Sequence, residues 1–198
     1  MPATKRPMRK LQRPPFKQAG TAAVEFALLA VIFFSLVFGI IETARLLFVF
    51  NTLQEVTRRG AAAAVKVYPT DTAIAAVRQH AIFRNSPGEL MLAPPITDEH
   101  IRLSYLAFDL SHIPAGSWPA NASENRRVCM TNSHAANCIH FVQVQVCDPA
   151  DASVCNAVPA QMILPFIDLR VPLHRATTIV PVESFGYVPG RLPPGCSC

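Results

Sequence analysis

The residues best suited to chemistry are six cysteines, two histidines near them, and one carboxylate set in an otherwise uncharged apolar stretch. The cysteines are Cys129, Cys138, Cys147, Cys155, Cys196 and Cys198, and all lie in the C-terminal half of the chain. Cys129, His134, Cys138 and His140 are ligand types that zinc accepts, but their spacing is irregular for a zinc site. An even cysteine count confined to a part predicted outside the cytoplasm reads as disulfides in an oxidising compartment. The spacing favours Cys129–Cys138 and Cys147–Cys155 as two local loops. It leaves Cys196 and Cys198, whose own bridge would be strained. No metal and no cofactor is predicted, and His134 and His140 read as bystanders.

The carboxylate is Glu25. An acid in an apolar helix costs about 2.5–3.5 kcal/mol at the bilayer centre, less near an edge, and usually has a partner. A cut between Gly20 and Thr21 would create one. Thr21 would carry a new α-ammonium four residues before Glu25, one helical turn away. Glu25 would also stand in the first turn, where the helix dipole favours an anion. Without such a cut, Glu25 rests at headgroup level on the cytoplasmic side.

No catalytic constellation is present in the pattern. The chain has no phosphate-binding glycine loop, no Gly-x-Ser-x-Gly and no His-Glu-x-x-His. No local arrangement links Ser, His and Asp into a triad. The expectation is a protein that is not an enzyme and takes no small-molecule substrate. Asn121-Ala122-Ser123 fits a glycosylation triplet, a pattern common by chance.

These residues need elements to position them. From Phe26 to Ile41 the chain carries no charge. Extended back to Gly20, the run is roughly 22 residues, or about 33 Å of helix, which matches a hydrocarbon core. Lys5, Arg6, Arg9, Lys10, Arg13 and Lys17 precede it with no acid among them. The rest of the chain holds 12 basic against 13 acidic groups, so the net +5 is confined to the leader. That asymmetry places the N-terminus in the cytoplasm and explains the charge without nucleic acid. A cleaved secretory signal should end in small residues, whereas Glu42, Thr43, Ala44 and Arg45 follow here.

The helical pattern continues beyond the run. Leu46, Val49, Phe50, Leu53, Val56, Gly60, Ala63 and Val67 recur at three- and four-residue steps until Pro69. Glu55 has ion-pair spacing to Arg58 or Arg59. Small residues from Gly60 to Ala64 admit a close neighbour, either the chain's own domain or a partner helix. The organisation predicted is a basic leader over 1–20, a transmembrane helix over 21–41, a helix extension over 42–68 and an exported α+β domain over 69–198. In that domain a short helix capped by Thr70 or Asp71 runs to about Asn85. Strands fall over 100–108, 139–147 and 176–182, with Phe141 breaking the alternation of the second and Pro181 pushing the third to an edge. Residues 109–137 read as an irregular insertion, and 163–173, with Pro165 and Pro172, as a loop or short helix. The fold class is α+β: a long N-terminal transmembrane helix extending into a small antiparallel sheet domain with disulfide-closed loops.

The stretch GTAAVEFALLAVIFFSLVFGIIETARLLFVFNTLQEVTRRGAAAAV, residues 20–65, resembles the N-terminal signature of TadE-like proteins, pseudopilins or minor pilin-like subunits of bacterial tight-adherence (Flp-type) pilus systems. The matching elements are Gly20, Glu25 five residues on, Phe26 at an aromatic position, and Gly39, Glu42 and Arg45 near the end of the run. Asn51 and Arg59-Gly60-Ala61 match in type and spacing. The resemblance implies a prepilin peptidase cutting after Gly20 on the cytoplasmic face, with Glu25 and Phe26 serving processing or assembly. It also implies helix packing through Gly39, Glu42, Arg45 and Gly60, and partners among other pilin-like subunits and assembly proteins. The location implied is the bacterial inner membrane, with the C-terminal domain periplasmic. A membrane-anchored extracytoplasmic binding module unrelated to pili is the alternative.

Overall fold

The structure, a computed structural model, describes residues 19–151, 153–162 and 171–187. The leader ahead of Ala19 and the pair Cys196 and Cys198 lie outside the described residues, as does most of the 163–173 stretch. Helix α1 runs from Ala19 to Ala64. The chain divides into two compact units between Ile41 and Glu42.

In the first unit the side chains of α1 face outward: Phe26, Leu29, Ile32 and Phe34 are all exposed. A helix whose run from Phe26 to Ile41 carries no charge and has no buried face is stable where its surroundings are as apolar as itself. Among the described residues α1 is the one helix long and apolar enough to cross a membrane. Ser35 returns its hydroxyl to the Val31 carbonyl at 2.7 Å, so its polar atom is satisfied within the helix.

The second unit is built on the rest of α1. Val49, Leu53, Val56, Gly60, Ala61 and Ala64 are buried there, so the apolar stripe covers the chain's own domain. Helix α2 (Asp71–Ala81) starts at Thr70, whose Oγ1 accepts the Ala73 N–H at 3.2 Å. It ends at Ala81 rather than near Asn85, and Phe83 then adopts φ 63°. Strands β1 (Ile101–Leu106), β2 (Phe141–Val146) and β3 (Thr177–Pro181) form an antiparallel sheet in the order β1-β2-β3. Leu103 pairs with Val144, which pairs with Thr178. Val142, Val144 and Val146 turn inward. Phe141 lies in phase with Gln143 and Gln145 on the outer face, so it completes the alternation rather than breaking it.

The stretch 109–137 is not wholly irregular. It contains helix α3 (Ala122–Thr131), whose N-cap is Asn121, with Oδ1 accepting the Glu124 N–H at 2.9 Å. The triplet that resembles a glycosylation signal is a helix start. Its weak apolar periodicity hid it, since the buried side chain of α3 is Asn125.

Candidate functional site

Gly20, Thr21, Glu25 and Phe26 occupy the first two turns of α1, and all four are exposed. The helix sets Thr21 and Glu25 four residues apart, one turn, on the same side. Among the described residues, a Cβ on Gly20 would meet nothing within 4 Å, so packing against them does not call for a glycine there. The same holds at Gly39.

Glu42 and Arg45 form a clasp in the second unit. Arg45 reaches Glu42 Oε1 with Nε at 3.2 Å and Nη2 at 2.8 Å. It also donates to the Leu92 carbonyl at 3.4 Å and to the Gln161 carbonyl. Each side chain is only 11% exposed. One planar guanidinium thus gathers two loops and a carboxylate, which suits the fixed fork of arginine. The loops that cover them come from far along the chain. Gly60 is the point of closest approach. A Cβ there would lie 3.2 Å from both Ala81 Cβ and Val144 Cγ1.

The ion pairs among the described residues are Arg45–Glu42 and Arg127–Glu124. The pair expected of Glu55 with Arg58 or Arg59 is therefore not formed. Arg59 instead donates to the His80 carbonyl at 2.8 Å and stands 4.8 Å over the Phe83 ring. A helix-surface pair worth a few tenths of a kcal/mol yields to such contacts.

Two disulfides are present among the described residues, Cys129–Cys138 and Cys147–Cys155. The first ties α3 to the segment entering β2, and the second closes the loop leaving it. Cys129, Cys138 and His140 bring their ligand atoms within 4.8 Å of one another. Both sulfurs are held in the bridge, and His140 Nε2 donates to the Ser133 carbonyl at 2.8 Å. His134 lies against the Phe108 ring, 4.5 Å between centroids. The geometry assigns the four residues to packing around a bridge.

Two clefts of the second unit had no signature in the sequence. One, of about 960 Å³, is lined by Glu55, Arg58, Lys66, Ala76, His80 and Val180. The other, of about 520 Å³, is lined by Phe48, Ile82, Phe83, Leu90 and Met91 with Arg84 and Glu89. Both draw on segments distant in sequence, so no local motif marks them.

The chain therefore joins one apolar helix, compatible with a single-pass anchor, to a disulfide-closed α+β unit. The sequence profile of the family described as TadE-like protein matches residues 20–62, so the chain is similar to that family over this stretch of its N-terminal helix. The match spans Gly20, Glu25, the Glu42–Arg45 clasp and Gly60. No curated protein and no solved structure matches the chain.

Proposed function

We propose that this protein is a pseudopilin of a tight-adherence, Flp-type pilus: a structural and interaction subunit with no catalysis of its own. It sits once in the bacterial inner membrane, with the basic leader cytoplasmic and the disulfide domain periplasmic. A prepilin peptidase removes the leader after Gly20, and Glu25 then pairs with the new Thr21 ammonium or with that of a neighbouring subunit. The observation that carries this reading is the TadE-like match over residues 20–62. The physical support is a lone acid in an apolar helix, which needs a cation that cleavage would create. The +6 leader supports the orientation.

Intact-mass analysis of protein purified from membranes tests the processing, and the expected species begins at Thr21. Glu25→Ala should abolish or cripple pilus-dependent attachment while leaving the exported domain folded. A native species that keeps its leader, together with full attachment by Glu25→Ala, would overturn the proposal.

A further inference from the structure

The turn between α2 and β1 displays apolar side chains that neither the sheet nor the clasp explains. Met91 and Leu92 are 81% and 63% exposed, while Leu90 and Ala93 on either side are buried. The Ala93 N–H donates to the Leu90 carbonyl at 3.2 Å, which closes the turn and drives its two central side chains outward. Leu92 has φ 60°, a left-handed conformation that branched side chains rarely adopt. The turn is thus held in a costly form that shows leucine and methionine to the surroundings.

Arg45 locates this turn along the chain. Its guanidinium holds the Leu92 carbonyl at 3.4 Å. Arg45 follows Ile41, the end of the uncharged run, by four residues, which is about 6 Å of helix. Phe48 in the same unit is 49% exposed and shares a cleft with Met91. The charged side chains of that cleft rim are Glu55, Glu89 and Arg84, with no excess of positive charge.

We propose that Phe48, Met91 and Leu92 form a membrane-docking surface. They enter the boundary between headgroups and acyl chains. The proposal rests on reading residues 21–41 as membrane-spanning. Lipid is the occupant because the covalent chain keeps these side chains close to the end of the apolar run. Interfacial apolar groups enter to about 5–10 Å, the same scale as the separation from Arg45. Zwitterionic lipid suffices, since the cleft rim has no positive excess to attract anionic headgroups.

The test uses the full chain in phosphatidylcholine vesicles, with Trp118→Phe removing the native tryptophan and one tryptophan placed at a time. Leu92→Trp probes the patch and Phe34→Trp the apolar run. Met130→Trp is the exposed control on α3. That helix belongs to the far end of the unit, where Arg126 stacks on Tyr187 and Phe185 meets Tyr68, just past the end of α1. The expected result is blue-shifted Leu92→Trp emission, lost in vesicles of acyl-brominated lipid as it is for Phe34→Trp, while Met130→Trp is unaffected. Quenching of Phe34→Trp without Leu92→Trp overturns the docking surface and leaves the anchor. Quenching of neither overturns both. A Leu92→Trp blue shift that grows with protein concentration and resists brominated lipid assigns the patch to a protein neighbour and overturns the proposal. If the Trp118→Phe background fails to fold, Trp118 is retained and its parent signal subtracted, with the same outcomes.

Discussion

At the scale of single residues, Asn125 connects α3 to the sheet. Its Nδ2 donates to the Ile139 carbonyl at 3.2 Å and its Oδ1 accepts the Ile139 N–H at 3.0 Å, all buried. Asn125→Ala strands both backbone groups, and we expect a loss of about 1–3 kcal/mol in denaturant unfolding. His100 is the second such residue. Its Nδ1 accepts the Thr97 N–H at 3.0 Å and lies 2.9 Å from the Thr97 hydroxyl, a pairing that needs Nδ1 unprotonated. Burial pushes the pKa of His100 below its ordinary value, and the charges of Asp148 and Glu99 oppose this only in part. The unfolded chain therefore binds the proton more readily than the folded one, so stability rises with pH through this window. It should fall as pH drops below about 6.5, the unfolded value, and level off below the folded one. Melting temperatures at pH 7.5 and 5.5 check this, and His100→Asn should show a smaller difference between them.

At the scale of elements, packing of the second unit turns on the crossing at Gly60. Helix α1 passes α2 and β2 with no room for a larger side chain, because Ala81 and Val144 already touch the space a Cβ would fill. Gly60→Leu should destabilise the domain by about 1–3 kcal/mol through overpacking, measured as a lower melting temperature. Gly39→Leu, where nothing lies within 4 Å, should leave that melting temperature unchanged. A second glycine is set by backbone rather than packing. Gly186 has φ 73° and passes so near the Lys66 carbonyl that any Cβ would collide with it. That passage brings Phe185 against Tyr68, 5.8 Å between ring centroids.

At the scale of the whole molecule, the two units call for different solvents. The first exposes large apolar side chains along its helix. The second buries a core of its own around Leu53, Val56, Tyr105, Val142 and Val144. The small sheet is reinforced by covalent loops with sequence separations of 9 and 8 residues. Closing loops of that size contributes about 2–3 kcal/mol each in the chain-entropy account. Reduction with dithiothreitol should therefore lower the melting temperature of the second unit markedly. It should leave the helicity of the apolar run intact, since the run holds no cysteine. Circular dichroism of the full chain in detergent follows both signals.

The long apolar helix, its amphipathic extension and the three strands were legible in the sequence, because each rests on a period or a run that neighbouring residues create. The local disulfides were legible for the same reason, since short separations make closure easy. What tertiary structure decided depends on groups distant along the chain. Asn125 and Arg45 look like surface residues until Ile139, Leu92 and Gln161 arrive to take their hydrogen bonds. Helix α3 escaped for want of an apolar stripe, its inward position being an asparagine whose partner lies 14 residues on. Whether the apolar stripe of α1 would meet a partner or its own domain was open in the pattern alone. The domain's valines closed it, since burying Leu53 and Val56 within the chain needs no second molecule and forfeits no association entropy.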